Sequence, residues 1–537
     1  MAIWVLLLMC SCIFSSINGM NMMNRIVNNP ASFSFSLATK KTQPYEEKYF
    51  TQILDHFNYN PISYNTFQQR YLINDTNWGG PKSPIFLYTG NEGNVEWFAQ
   101  NTGFMFENAP NFRALIIFIE HRFYGKSIPY GGNKTTAYSN TTTLGYLSST
   151  QALADYATLI LDLKKNLTAM DSPVVVFGGS YGGMLAAWLR LKYPHIAIGA
   201  LASSAPILNF DNITSPYSFT NIITQDFRGE SENCYKVIKG SWQEIEHTAK
   251  HELGLEILRK AFRICKNFIR ADYLENWLYT VYMYTAMSDY PTPANFLNPL
   301  PAYPIKQVML PLVKRLLVDV CVECTQLLAL SDLGDEAHVL IDWDQQIIMC
   351  KAIDDPRTGN NTLEKLYAAA NIYYNYTGQS KCFDLLDDSD PHDLGGWSWQ
   401  ACTEMVSATS GSTEDSIFPA NNYTYNDRLQ YCQSSFNITP RPSWIPTEFG
   451  GRDIYRDLKY FGSNIIFTNG LRDPWSGGGV LKNISESIVA IVAEKGAHHA
   501  DLRYSTSKDP KWLKDMREKE VNIISKWLSQ YHHDLGK

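Results

Sequence analysis

The sequence predicts an α/β fold whose sheet is largely parallel and whose chain is interrupted by a mainly helical insertion. Two observations support this. Short apolar runs typical of buried strands alternate with stretches in which apolar residues recur at helical spacing. The alternation stops near residue 211, where Trp, Tyr and short helical segments become frequent, and it resumes near residue 451. We therefore expect one sheet domain that is split in two by a separate lobe.

The composition is that of a globular protein and argues against a nucleic-acid partner. The chain has 537 residues, of which 45% are hydrophobic and 13% aromatic. Its formal net charge is -7, and no run of Lys and Arg suits phosphate binding. The length exceeds what one hydrophobic core normally supports, so two lobes or one enlarged domain are expected.

The N-terminal residues predict entry into the secretory pathway. We interpret residues 1–19 as a signal peptide, because an apolar stretch there ends at small residues, although no Lys or Arg precedes it. An uncleaved anchor is the alternative. Residues 20–48 are polar and aperiodic, as in a flexible leader or propeptide. No later stretch is long and apolar enough to span a membrane, and many N-x-S/T sequons follow.

Residues 49–210 form the first part of the predicted sheet domain. The apolar runs 84–89 and 114–119 suit buried strands, and the first of them ends in the glycine loop 90–94. Helical spacing over 147–163 and further strand runs over 174–177 and 199–204 complete this part.

Residues 211–450 are predicted to form the helical insertion, and residues 451–537 the second part of the sheet domain. In a secretory context, cysteines in such an insertion are disulfide candidates, and all cysteines after Cys12 fall there. Beyond the insertion, strand runs over 464–470 and 488–492 precede a terminal amphipathic helix.

Ser180 is the predicted nucleophile. It lies in Gly178-Gly179-Ser180-Tyr181-Gly182, between a β-branched run and a helical stretch. A sharp turn between strand and helix exposes such a serine in a strained conformation that only small neighbours tolerate. In the alternative interpretation, the serine only caps the helix.

The loops after two later strands supply the other groups that acyl transfer needs. Asp473 follows the strand 464–470, and His498 follows the strand 488–492. Nucleophile, acid and histidine in this chain order are typical of α/β-hydrolases. We expect His498 to act as base and Asp473 to orient it, with His499 as the alternative base. The predicted oxyanion donors are the backbone N–H groups of Tyr181 and Gly93.

Five motifs resemble the lysosomal Pro-Xaa carboxypeptidase and dipeptidyl peptidase II family of serine peptidases. They are GNEGN at 90–94, EHRFYG at 120–125, GGSYGGMLA at 178–186, NGLRDPWSGGG at 469–479 and GAHHADLR at 496–503. The resemblance implies an α/β-hydrolase core with an inserted helical lobe, cleavage of peptide substrates beside proline, and an acidic compartment. It places the triad on Ser180, Asp473 and His498, and it implies that Cys234 pairs with Cys350, Cys265 with Cys382, and Cys402 with Cys432.

The chain departs from the family between about residues 307 and 348. Some forty residues, among them Cys321 and Cys324, replace an almost direct connection. Both a genuine insertion and an incorrectly joined gene model are compatible with this, and we favour the second slightly. The Cys321-Val322-Glu323-Cys324 run lacks a matching second half, so we expect no metal and no cofactor.

Substrate recognition is predicted from residues that flank the triad. Met184 and Trp475 suit a compact apolar pocket for proline. The chain offers both kinds of group for a peptide terminus: the cations Arg503 and, at pH 5, protonated His499 for a carboxylate, and Glu92 or Glu404 for an amine.

The sequence favours release of a C-terminal residue after proline over release of an N-terminal dipeptide. An esterase is a less favoured alternative, and a catalytically silent binding protein is the least favoured, because no triad member is missing. The expected location is the lysosome, the vacuole or the extracellular space. The oligomeric state is left open, with a homodimer as one option.

Overall fold

A computed structural model describes residues 45–265, 270–306, 348–386, 389–407, 411–422, 424–450 and 453–536. The predicted signal peptide, most of the predicted leader and the segment 307–347 lie outside these residues. An eight-stranded sheet forms the centre of the molecule, in the order β1-β2-β4-β3-β5-β6-β9-β10. Its strands are β1 Glu46–Ile53, β2 Thr66–Asn74, β3 Ile85–Thr89, β4 Leu115–Ile119, β5 Val174–Gly179, β6 Gly199–Ser203, β9 Ile465–Gly470 and β10 Ile488–Ala493.

The sheet is parallel except at β2, which is antiparallel to both of its neighbours. In the middle of the sheet Leu87 of β3 lies opposite Ile117 and Val176. Continuous burial of these strands explains their uninterrupted apolar sequences. The edge strand β1 begins at Glu46, inside the predicted leader, and its mostly exposed, polar residues give no apolar signal.

Helices cover both faces of this sheet. One face packs against the helices Ser149–Asn166 and Tyr181–Lys192, and the other packs against the helices Val95–Asn101, Gly103–Phe112 and Lys511–Leu535. The helices of the sheet domain are α1 Val95–Asn101, α2 Gly103–Phe112, α3 Lys134–Ala137, α4 Thr141–Leu144, α5 Ser149–Asn166, α6 Tyr181–Lys192, α15 Trp444–Phe449, α16 Ile454–Phe461 and α17 Lys511–Leu535, with short 3-10 turns at Pro61–Tyr64, Pro474–Gly478 and Ala500–Leu502.

The chain between β6 and β9 is mainly helical. Besides α15 and α16, its helices are α7 Ser218–Glu230, α8 Glu232–Ala249, α9 Gly254–Ala261, α10 Ala271–Met287, α11 Met349–Asp354, α12 Thr362–Asn375, α13 Trp397–Thr403 and α14 Tyr425–Phe436, with a hairpin of β7 Ala294–Asn295 and β8 Pro299–Leu300. Helices α7 to α12 bury a hydrophobic core of their own, and we call them the helical lobe. The disulfides Cys234–Cys350 and Cys265–Cys382 lie in this lobe, and Cys402–Cys432 joins α13 to α14.

The end of the predicted insertion packs on the sheet domain instead. Phe449 of α15 stacks on Trp188 of α6 with ring centroids 4.1 Å apart, and Met405 is buried in the same core. The change from lobe to sheet domain is thus gradual in sequence. Among the described residues, no helix is both long and apolar enough to cross a bilayer.

Candidate active site

Ser180 occupies a strained turn between β5 and α6. Its backbone has φ 58° and ψ -127°, a conformation that non-glycine residues rarely adopt. The turn needs small neighbours, because a Cβ atom on Gly178 would lie 2.1 Å from the carbonyl oxygen of Gly182. A Cβ atom on Gly182 would lie 2.3 Å from Asn91 Oδ1. Ser180 makes no side-chain cap of α6, which disfavours the capping alternative.

His498 and Asp473 meet behind this turn. The Nδ1 atom of His498 lies 2.7 Å from Oδ2 of Asp473, and both side chains are buried. Asp473 follows β9 and begins the turn Pro474–Gly478, where its Oδ1 accepts a hydrogen bond from the backbone N–H of Trp475 at 3.1 Å. A carboxylate on Nδ1 favours the tautomer in which Nδ1 carries the proton, so Nε2 keeps its lone pair. Within the described residues, Nε2 of His498 has no hydrogen-bond partner.

Ser180 and His498 both line a cavity of about 180 Å³, which we call the active-site cavity. Its other lining residues that the sequence singled out are Tyr181, Met184, Glu92, Trp475 and His499. The opposite wall comes from helix α10 of the helical lobe, through Tyr279, Met283, Tyr284 and Met287. Sequence reasoning missed these four, although their spacing places them on one face of a helix.

Met184 and Trp475 border the same cavity as Ser180. Both line the active-site cavity, and Trp475 makes an edge contact with Phe219 of α7, at 4.7 Å between ring centroids. Phe219 and Met405 also line the cavity and were not predicted. The cavity is therefore aromatic and rich in thioether groups on this side.

Gly93 is wrongly placed as the second oxyanion donor. Its backbone N–H donates to the carbonyl oxygen of Asn91 at 2.9 Å, which closes a tight turn. Asn91 and Glu92, not Gly93, line the active-site cavity. Asn91 is also hydrogen-bonded to the turn that carries Ser180, because its Nδ2 donates to the carbonyl oxygen of Gly179 at 2.6 Å. The sequence predicted the loop. It did not show which backbone N–H groups of the loop form hydrogen bonds within the turn.

Glu404 is a structural residue rather than a substrate ligand. Its Oε2 accepts from the backbone N–H of Ser149 at 2.8 Å, and its Oε1 accepts from the Ser149 hydroxyl at 2.9 Å. Ser149 is the first residue of α5, so the carboxylate caps that helix. Glu404 does not line the active-site cavity.

The environment of His499 disfavours the protonated form that the sequence predicts. His499 is buried, and desolvation, followed by the nearby charges of His498 and Arg503, holds its pKa well below the ordinary value of 6.5. Burial and the neighbouring charges therefore disfavour the protonated form of His499. Arg503 does not line the cavity, and its guanidinium lies 4.3 Å from the centroid of the Tyr290 ring.

Glu92 has an unusual environment for a carboxyl group. It lines the active-site cavity, and its Oε2 atom is buried without a hydrogen-bond partner among the described residues. Desolvation raises the pKa of Glu92 to about 7. Within the described part of the chain, no group of three or more His, Cys, Asp or Glu residues could hold a metal ion.

Known proteins resemble this chain over most of its length. The family model described as serine carboxypeptidase S28 matches residues 52–520. The lysosomal Pro-X carboxypeptidase of Bos taurus is 39% identical over 514 residues, covering 95% of this chain and 93% of the relative. That of Homo sapiens is 37% identical over 499 residues, covering 92% and 90%.

A more distant relative is also named a serine protease. The thymus-specific serine protease of Homo sapiens is 28% identical over 502 residues, covering 89% of this chain and 85% of the relative. The family match spans the segments that carry Ser180, Asp473 and His498. The chain therefore belongs to the serine carboxypeptidase S28 family, and it is a serine peptidase.

Proposed function

We propose that this protein is an exopeptidase that releases the C-terminal residue from peptides ending in Pro-Xaa, by an acyl-enzyme mechanism on Ser180, His498 and Asp473. One observation carries the proposal. Nδ1 of His498 lies 2.7 Å from Asp473, its Nε2 has no hydrogen-bond partner among the described residues, and His498 and Ser180 line one cavity. The names of the Bos taurus and Homo sapiens relatives support the Pro-Xaa specificity.

The chemistry follows from these positions. Nε2 of His498 takes the proton of the Ser180 hydroxyl as its oxygen bonds to the carbonyl carbon of proline. The same proton passes to the leaving nitrogen, the peptide bond breaks, and the C-terminal amino acid departs. Water then attacks the acyl-enzyme with His498 again acting as base, the ester bond to Ser180 breaks, the proton returns to the Ser180 oxygen, and the shortened peptide ending in proline leaves. Asp473 stabilises the imidazolium that forms in each half-reaction.

The oxyanion is proposed to lie between two backbone N–H groups. Tyr181 is the first residue of α6, so its N–H has no intrahelical partner to bond. For the second donor we propose Asn91 in place of Gly93, since Asn91 lines the cavity and is fixed to Gly179. Met184, Met405 and Trp475 are proposed to enclose the proline ring.

The proposed location is an acidic compartment of the secretory pathway, the lysosome or vacuole. The relatives from Bos taurus and Homo sapiens are named lysosomal, which supports this. The predicted signal peptide and sequons are consistent with that route.

Mass analysis of peptide products at pH 5 tests the proposal. N-acetyl-Ala-Pro-Phe should release free Phe, its C-terminal amide should be a poor substrate, and the S180A variant should be inactive on both. An enzyme that ignores the blocked peptide but releases Lys-Pro from an unblocked fluorogenic dipeptide would instead be a dipeptidyl peptidase. An enzyme that cleaves only esters would support the esterase alternative.

A further inference from the structure

We propose that Glu92 works in its protonated form and donates a hydrogen bond to the C-terminal carboxylate of the substrate, so that it selects peptides with a free C-terminus. The inference rests on the proposed carboxypeptidase function and adds a specificity-determining residue to it. It replaces the expectation that Glu92 binds a substrate amine.

The position of Glu92 suits a group that contacts the departing residue. It follows β3 by three residues and lines the cavity together with Ser180 and His498. The loop is anchored, because its neighbour Asn91 donates to Gly179 at 2.6 Å and accepts from the Tyr88 hydroxyl at 3.0 Å. A carboxyl group on this loop therefore keeps a constant place relative to the nucleophile.

The surroundings of Glu92 favour its neutral form. Apolar side chains make up much of the nearby cavity wall, including Trp97, Phe98 and Phe296. A buried carboxylate oxygen without a partner is costly when it carries charge and much less so in a neutral acid. Desolvation is the largest cause of the raised pKa of about 7, against smaller opposing effects of the Glu92 backbone N–H, of His498 and of Asn91. At pH 5 the group is therefore protonated.

The other ionisable groups around the cavity leave the donor role to Glu92. Four tyrosine phenols interact electrostatically with Glu92, and burial raises their pKa values, so they are neutral. They belong to Tyr88, Tyr124, Tyr181 and Tyr284. Burial lowers the pKa of His499 and disfavours its cationic form, and His498 is the proposed base. Arg428 also lines the cavity, but its guanidinium donates to the carbonyl oxygens of Ala401 and Ser407 at 3.3 and 2.9 Å.

A protonated carboxyl group recognises a carboxylate and not an ammonium ion. The substrate C-terminus has an ordinary pKa of about 3.5 and is ionised at pH 5, so an O–H donor on Glu92 can form a charge-assisted hydrogen bond. An ammonium group offers only donors and would need the ionised acid. Above pH 7, Glu92 ionises and repels the same carboxylate.

The test compares N-acetyl-Ala-Pro-Phe with its C-terminal amide from pH 4.5 to 8.5, in the full-length enzyme and in E92A and E92Q. The ratio of kcat/KM for acid over amide isolates recognition of the terminus, because any effect on His498 reaches both substrates. We expect the wild-type ratio to fall as pH passes about 7. E92A should lower the ratio at pH 5 by about 10- to 100-fold, mainly through KM.

E92Q separates the donor role from a merely structural one. Its amide donates at every pH, so its ratio should stay nearly constant between pH 5 and 8.5. The control E404Q changes a buried carboxyl group outside the cavity and should leave the ratio at its wild-type value. An unchanged ratio in E92A, or a wild-type pH profile in E92Q, would overturn the role of Glu92 alone. A wild-type enzyme that never cleaves the blocked acid would overturn the proposed function and this inference together.

Discussion

Arg472 donates from Nη1 to Oδ2 of Asp289 at 2.7 Å, and it thereby joins the loop that carries Asp473 to the helical side of the cavity. Its Nη2 donates to Oε1 of Glu230 in α7 at 2.6 Å. Asp289 is buried and Arg472 is only partly exposed. The arginine next to the proposed catalytic acid therefore connects the two parts of the molecule.

The R472M variant should lose both stability and activity. Removing the cation leaves the Asp289 carboxylate buried without its partner, and breaking such a pair costs about 3 kcal/mol. We expect a lower Tm by calorimetry. We also expect a lower kcat/KM, because the loop that carries Asp473 is no longer joined to the helical side of the cavity. The control R357M removes a guanidinium from an exposed pair with Asp355 and should change neither. A wild-type Tm in R472M would contradict this role of Arg472.

The two neighbouring histidines should differ sharply on substitution. H498A should reduce kcat by about 10⁴-fold or more, because His498 holds the Asp473 contact and triad members act as a unit. H499A should retain more activity, and the exposed H533A serves as the surface control. Single-turnover kinetics with an N-blocked peptide provides the measurement. A larger loss in H499A would mean that the base is assigned to the wrong histidine.

Trp475 should determine the preference for proline. W475A removes an aromatic wall of the cavity but keeps the backbone N–H that donates a hydrogen bond to Asp473. The triad should therefore remain in place. We expect kcat/KM to fall more for N-acetyl-Ala-Pro-Phe than for N-acetyl-Ala-Ala-Phe. W78A removes a tryptophan outside the cavity and should affect both peptides equally. Equal losses in W475A would assign Trp475 to the scaffold.

Glu520 should make the fold more stable in acid than at neutral pH. The side chain is fully buried in α17, and both carboxyl oxygens lack partners within the described residues. Desolvation, together with nearby Asp501, raises its pKa well above the ordinary 4.5. The folded state thus binds the proton more tightly than the unfolded state, so the stabilisation is complete below pH 4.5 and is lost as pH rises towards the folded pKa.

The E520Q variant tests this dependence. Its Tm should equal the wild-type Tm at pH 4.5, where Glu520 is protonated. At pH 7.5 its Tm should be higher, because the wild type must bury a charge or bind a proton. E518Q changes an exposed residue of the same helix and should follow the wild type at both pH values. A lower Tm for E520Q than for the wild type at pH 7.5 would contradict the assignment.

The sequence by itself predicted the α/β fold and a triad on Ser180, Asp473 and His498. These features are encoded locally. Buried parallel strands have continuous apolar runs, and each predicted group follows such a strand in a short loop whose residue types suit the turn. The structure brings His498 and Asp473 together, and the catalytic roles remain a prediction for the variants above.

Only the tertiary structure decided which nearby residues can act on a substrate. The N–H of Gly93 is used within its own turn, and Glu404 caps the helix that begins at Ser149, 255 residues away in sequence. Burial lowers the pKa of His499 and raises the pKa of Glu92 to about 7. Hydrogen-bond partners and desolvation depend on segments that are distant in the chain, so residue type and spacing alone could not assign these roles.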